Sequence, residues 1–199
     1  MKIIGLCGMS GSGKGSVGVI FRQFSIPVLD TDRLYHSLIE DADSECTKLI
    51  IQEFGEAVAD EQGRIDRKIL RSLVFAPDAK EKLARLNVIT HACVKAETEK
   101  WISACKEKNV EMVCLDVPLL FESGMNEMCD IVIAIVAPRE SCLERIVQRD
   151  CITPLQAQAR LDSQLTSEAL TRMCDFVIVN DDSLEILTNR VKTVLSSFS

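Results

Sequence analysis

The stretch Gly8-Met9-Ser10-Gly11-Ser12-Gly13-Lys14-Gly15-Ser16 constrains this chain more than any other. It follows an apolar run, Lys2–Cys7, that reads as a short strand. It precedes Ser16–Phe24, where Val17, Ile20, Phe21 and Phe24 fall on one helical face. The pattern is G-x-x-x-x-G-K between a strand and a helix, the context in which such a loop cradles phosphate. Its glycines let successive N–H groups point inward as an anion nest. The helix start adds the positive end of its dipole, and Lys14 adds a mobile cation. A flexible Gly/Ser turn would explain the glycines alone. It would not explain strand, spacing, lysine and helix together.

The rest of the chain alternates in the same way. A second strand is expected at Ile26–Leu29, ending in Asp30-Thr31-Asp32. Residues 33–108 carry no convincing strand but show helical patterns at Glu45–Phe54, Asp66–Phe75 and Asn87–Lys106, with a turn at Asp60–Gly63. Strands return at Glu111–Leu115, Ile131–Val136 and Asp175–Val179. Helices are expected at Arg139–Arg149, from Thr153-Pro154 onward, and at Ser183–Leu195. Short apolar strands separated by helices imply an α/β fold with a five-stranded parallel sheet covered on both faces. The helical stretch 33–108 then grows as an insertion from the sheet's C-terminal edge, where open α/β sheets bind ligands.

Composition narrows the class. The 199 residues are 47% hydrophobic and 27% charged, as in ordinary globular proteins. A net charge of −7 argues against non-specific nucleic-acid binding, which leaves a basic footprint. The longest apolar runs, such as Ile131–Ala137, are far short of the ~20 residues that span a bilayer. No nucleic acid and no membrane are therefore expected as partners, and the expected compartment is the cytoplasm. Nine cysteines include no C-x-x-C spacing, and only two histidines could help them hold a metal. They read as reduced and mostly buried. Cys7, beside the loop, has no evident partner base and reads as core.

Among phosphate-loop proteins, a switch GTPase would need a guanine-reading Asn-Lys-x-Asp segment, which is absent. A small-molecule kinase needs a base near the phosphates, an insertion for the acceptor and an arginine-bearing lid. The base candidates are Asp30 and Asp32, with the chemistry assigned to Asp32; an acid here also suits a cap before Arg33–Ile39. The lid candidate carries Arg139, Arg145, Arg149, Arg160 and Arg172, and no lysine occurs from Asn109 to Val191. Arginine's planar fork suits phosphate clamping. Arg145 and Arg149, spaced i, i+4, are the expected ligand contacts. The alternative is a solvated face paired with Glu140, Glu144, Asp150 and Asp162.

Taken together, these segments resemble the dephospho-coenzyme A kinases along nearly the whole chain. The resemblance is carried by Gly11-Ser12-Gly13-Lys14, Asp30-Thr31-Asp32, Phe54-Gly55, Gly63-Arg64-Ile65-Asp66-Arg67 and Val74-Phe75. It continues through Asp116-Val117-Pro118-Leu119-Leu120-Phe121-Glu122, Gln148-Arg149-Asp150, Arg160 with Gln164, and Asp175–Asn180. It implies a P-loop kinase core with a helical acceptor-binding insertion (33–108) and a lid (139–165). It also implies transfer of the ATP γ-phosphate to the ribose 3′-hydroxyl of dephospho-CoA, the last step of coenzyme A synthesis.

On that resemblance Gly11, Ser12, Gly13, Lys14, Gly15 and Ser16 bind ATP, with Asn180 at the adenine edge. Asp32 takes the hydroxyl proton, Lys14 neutralises charge, and Arg145 and Arg149 close over the phosphates. Arg67 and Lys68 either hold the acceptor's pyrophosphate or form the wet face of an amphipathic helix. Pro118 and Leu119 shape the cleft wall or pack as core, and His36 and His91 are either structural or touch the acceptor. The implied partners are ATP with Mg²⁺ and dephospho-CoA, bound by a monomer.

Three positions depart from the family pattern. Gly15 stands where a Ser or Thr usually ligates the metal. Gly-Lys-Gly followed by a hydroxyl resembles adenylate kinases, whose metal is held largely through water and nucleotide oxygens. The metal contacts stay open between Ser16 and a water-mediated role for Asp32 or Asp116. His91 precedes Ala92 where proline is usual, implying a looser turn, and Asn180 precedes Asp181-Asp182 where a small turn is usual. Two other functions remain: another nucleoside monophosphate or small-metabolite kinase, and a nucleotide-bound regulator without phosphotransfer.

Overall fold

A computed structural model describes residues 1–198. In chain order the elements are β1 (Lys2–Cys7), α1 (Lys14–Gln23), β2 (Val28–Asp30), α2 (Thr31–Glu40) and α3 (Glu45–Phe54). Then follow α4 (Arg67–Val74), α5 (Lys80–Glu107), β3 (Met112–Asp116), β4 (Ile131–Val136) and α6 (Arg139–Asp150). The chain continues with α7 (Pro154–Asp162), α8 (Ser167–Met173), β5 (Phe176–Val179) and α9 (Leu184–Ser196). Two compact units result. One comprises residues 1–30 and the chain from Cys105 onward; the other is Thr31–Ala104.

The first unit is built on a five-stranded sheet in the order β2-β3-β1-β4-β5, with every pair parallel. Its strands are nearly continuous apolar runs because helices cover both faces. Ile4 and Leu6 point to the face where Val17, Ile20 and Phe21 of α1 and Val191 of α9 complete a buried core. Gly5 points the other way: a Cβ there would stand 2.7 Å from the Cys129 sulfur. The register sets Leu6 beside Asp116, and Asp116 beside Asp30, at the strands' C-terminal ends.

Two details depart from the sequence expectation. β2 begins at Val28 because the Ile26 N–H is spent on the Phe21 carbonyl at 3.0 Å, and Pro27 has no N–H to give. The seven-residue α8, started by Thr166 accepting from the Ala169 N–H, has too few turns to show periodicity in sequence. Thr153 does open α7, in a capping box with Gln156.

The second unit is helical. Ile39, Cys46, Ile50, Val58, Ile65, Leu70, Val74 and Leu86 form its core. Ser44 caps α3 and, with Thr47, donates its hydroxyl to the Leu38 carbonyl, fixing the α2–α3 corner. α5 starts at Lys80 rather than Asn87. Its first turns, Lys-Glu-Lys-Leu-Ala-Arg, are strong helix formers with few apolar positions to mark a face. The looser turn expected at His91-Ala92 does not exist; both residues lie inside α5. Alanine retains the N–H that a proline lacks, so the helix runs through.

Candidate functional site

The phosphate loop leaves β1 after Cys7 and feeds α1, which begins at Lys14. Gly11 and Gly13 have positive φ, 77° and 95°. A Cβ on Gly11 would stand 2.5 Å from the Cys142 carbonyl oxygen, and one on Gly13 would collide with the Asn180 side-chain nitrogen. Glycine is required at both by conformation and by space. No side chain caps α1 and no acid sits in its first turn. Its first N–H groups and positive dipole end therefore favour an anion.

Distant residues fix the loop from outside. Asn180 donates its side-chain amide to the Ser12 carbonyl at 2.8 Å. Arg145 donates to the carbonyls of Gly11 (3.1 Å) and Asn180 (3.4 Å). Gln164 Oε1 accepts from the Ser10 N–H at 2.9 Å. Ser12 Oγ, in the middle of the loop, is buried with no hydrogen-bond partner among the described residues. A buried polar atom in that state normally marks a place for water or a ligand.

Lys14 ion-pairs with Asp116 at the end of β3, and both side chains are mostly withdrawn from solvent (16% and 11% exposed). At the C-terminal end of α6, Arg149 grips the Asp150 carboxylate through two bonds, at 2.7 and 2.9 Å, and reaches Ser10 Oγ at 3.5 Å. Arg160 of α7 grips the same carboxylate. The Arg149 hydrogen bond, with Arg160 adding, holds the Asp150 carboxyl down at about 2. Pro118 and Leu119 line a hollow with Cys7, Gly8, Met9 and Gln164; Leu119 is exposed rather than core.

Within the sheet unit, then, the fold gathers Gly11 to Ser16, Asp116, Arg145, Arg149 and Asn180. Asn180 and Arg145 spend their side-chain donors on loop carbonyls. Gly15 and Ser16 are exposed at the start of α1. Asp32, Arg67, Lys68 and His91 belong to the helical unit. Asp32 lies in the first turn of α2, two residues past the end of β2, and is exposed. Arg67 and Lys68 are exposed in the first turn of α4, whose cap is Asp66. With Tyr35, Arg71, Phe75 and Leu86 they line an open groove, and the Arg71 guanidinium stands 5.9 Å over the Phe75 ring. His91 is exposed on α5, outside that lining.

Sequence reasoning missed Asp116 as the Lys14 partner; Asp150, among the acids expected to pair with the arginines on a solvated face, holds both Arg149 and Arg160, and Asp162 holds Arg139. Gln164 stood out only through the family resemblance; its bond to the loop has no local signature.

The family described as CoaE, dephospho-CoA kinase, matches residues 2–185. A dephospho-CoA kinase from Fusobacterium nucleatum is 37% identical, with 96% of each chain covered. The solved TT1252 of Thermus thermophilus superposes with a TM-score of 0.79 at 31% identity, covering 100% of this chain and 98% of its own. The solved dephospho-CoA kinase of Campylobacter jejuni gives 0.72 at 29% identity over the same shares. With a match running nearly end to end and a phosphate loop braced as above, the chain belongs to the dephospho-CoA kinase family.

Proposed function

We propose that this chain transfers the γ-phosphate of ATP to the 3′-hydroxyl of the dephospho-CoA ribose, giving coenzyme A and ADP. The observation that carries the reading is the loop itself: an uncapped helix start, an orphaned buried hydroxyl at Ser12, and Lys14 held in place by Asp116. Phosphoryl transfer asks little covalent chemistry of a protein and much positioning and charge neutralisation. Lys14 and the N–H groups of Gly13 to Gly15 hold the β- and γ-phosphates. Arg145 keeps the Gly11 carbonyl turned away from them, and Arg149, beside Ser10, adds a forked cation on the lid side. Asn180 contributes to nucleotide binding by fixing the Ser12 peptide. Asp32, at the point where the chain leaves the sheet, accepts the proton of the attacking hydroxyl. Arg67 and Lys68 offer two cations beside an apolar groove, which suits a ligand with a pyrophosphate and a long aliphatic arm.

Magnesium fits the donors present. Asp116 would supply the oxygen donor a hard cation prefers, directly or through water, with phosphate oxygens and water completing its shell. When bound, the ion spreads charge across the β- and γ-phosphate oxygens. Among the described residues no helix is long and apolar enough to cross a membrane. The reading extends to a monomer acting in the cytoplasm.

The test is a panel of acceptors with ATP and Mg²⁺: dephospho-CoA, nucleoside monophosphates, shikimate and water. Transfer to dephospho-CoA should exceed the others by orders of magnitude, with the new phosphate on the 3′ position. A nucleoside monophosphate that competes on equal terms would assign the chain to a different kinase reaction. Nucleotide binding without transfer to any acceptor would leave a regulator.

A further inference from the structure

The cysteines are the chemistry the reaction does not use. All nine are free, and five are buried. Cys7 and Cys174 are different. Cys7 is the last residue of β1 and directly precedes the phosphate loop; Cys174 follows the last residue of α8. Their sulfurs lie 3.3 Å apart and share a hydrogen bond. A disulfide bond is about 2.05 Å long, so closure asks the two sulfurs to approach by about 1.3 Å.

What surrounds the pair gives closure a consequence. α8 rests on the base of the loop. Ser167, its first residue, has its hydroxyl 3.8 Å from the Met9 sulfur, and Leu170 lines the same hollow as Cys7, Gly8 and Met9. Just upstream, Gln164 accepts from the Ser10 N–H. The segment joining the arginine-bearing helices to β5 is thus seated along Met9 and Ser10 by weak contacts, with the thiol pair at its far end.

We propose that Cys7 and Cys174 are a reversible redox pair, whose disulfide fastens the end of α8 to the root of the phosphate loop and slows phosphate transfer. The slowing rests on the kinase reading above; the bridge does not. Exposure assigns the order of events. Cys174 is half-buried and can meet a small oxidant, whereas Cys7 is 2% exposed and needs only to meet Cys174. The interaction with Cys7 holds the Cys174 thiol below the usual range, while that interaction and burial push the Cys7 thiol up. Cys174 is then the sulfur that attacks first.

The oxidant is a low-molecular-weight disulfide. The Cys174 thiolate attacks one of its sulfurs, forms a mixed disulfide and expels one thiolate. Cys7 then attacks the Cys174 sulfur and expels the second. The protein loses two electrons and two protons; the oxidant gains both and leaves as two thiols.

The experiment uses the full chain with glutathione disulfide as the probe, over a graded ratio of oxidised to reduced glutathione. Alkylation of remaining thiols and peptide mapping read the products. A peptide linking Cys7 to Cys174, two hydrogens lighter than the sum of its parts, is expected. In the same samples transfer should fall at least fivefold and return with dithiothreitol. Cys174→Ser should match the reduced parent and keep its rate under oxidation, while Cys151→Ser, which removes the exposed lone thiol, should not protect. The peptide map on the parent needs no variant and no substrate, so it decides the bridge even if the acceptor panel fails. Full glutathionylation of Cys151 with no Cys7–Cys174 peptide would overturn the proposal. So would a complete bridge that leaves both transfer and nucleotide affinity unchanged.

Discussion

Lys14, the first residue of α1, is ion-paired with Asp116, the last residue of β3. The pair follows from sheet order: β1 and β3 are neighbours with Leu6 beside Asp116, so the loop leaving β1 bends its lysine over the end of β3. Both charges are largely withdrawn from water. Deleting one partner of such a pair strands the other, at a cost of about 3–5 kcal/mol in well-buried cases. Lys14→Ala and Asp116→Ala are therefore expected to lower Tm as well as to cripple transfer. The double variant should regain part of the Tm loss and none of the activity. Calorimetry and turnover on the four proteins separate the two effects. Fully additive Tm losses would mean that the charges are uncoupled. Near-normal turnover by Lys14→Ala would remove it from the phosphate site.

Asp32 tests the chemistry apart from the fold. It is exposed in the first turn of α2 and is not in the core of its unit. Asp32→Asn keeps size and hydrogen bonding and removes the proton acceptor. Loss of a general base costs on the order of 10²–10⁴ in rate, and a loose phosphoryl-transfer transition state favours the low end. The expected result is reduced kcat with roughly unchanged ATP affinity. Lost ATP affinity with normal single-turnover chemistry would place Asp32 in metal organisation instead.

The arginine cluster makes a pH prediction. With Arg149 first and Arg160 second, Asp150 is held at about 2, below its usual 3.8. A depressed carboxylate contributes stability above its unfolded pKa and loses it as pH falls through the folded one. The parent's Tm advantage over Asp150→Asn should be constant from pH 7 to about 4 and vanish towards pH 2. Thermal melts across that range check it, and an advantage that already fades between pH 7 and 5 would point to another group. On the proposed reading Arg149 works through its planar fork as well as its charge. Arg149→Lys should cut turnover by roughly tenfold or more while dephospho-CoA affinity is kept.

The parts legible in the sequence are those that short-range chemistry decides. The loop, the Thr153-Pro154 helix start, the α3 limits and four of the five strands to within a residue depend on a few adjacent residues, and each stands where expected. The braces on the loop are another matter. Asn180 reaches Ser12 across 168 positions, and Arg145 reaches Gly11 across 134. Nothing near either residue announces those bonds; they exist only once β5 and α6 have joined β4 and β1. The side chain of Asn180 faces a loop carbonyl because Gly13 leaves the space that any Cβ would take. The first turns of α5 were obscure for the opposite reason: propensity favours a helix there, but the residues are too polar to display a face.

Gly15, which stands where the general phosphate-loop pattern has a serine or threonine, offers the sharpest test of how metal is held. An ideal Cβ at Gly15 meets nothing within 4 Å, the residue is exposed, and its φ lies outside the left-handed region. A serine therefore fits without moving a neighbour, and as a better helix former than glycine it should not lower Tm. In phosphate loops a hydroxyl at this position can ligate Mg²⁺. Gly15→Ser should then lower the Mg²⁺ concentration needed for half-maximal transfer. Ser16 is one residue further along α1, and one residue turns a helix by ~100°, so its hydroxyl does not substitute for the missing one. Ser16→Ala should leave that concentration nearly unchanged, with the ion held by phosphate oxygens, water and an acid such as Asp116. Magnesium titrations of the parent and both variants, at saturating ATP and acceptor, decide the matter. If Ser16→Ala raises the requirement greatly and Gly15→Ser changes nothing, Ser16 is the ligand and the loop presents its hydroxyl one position later than the general pattern does.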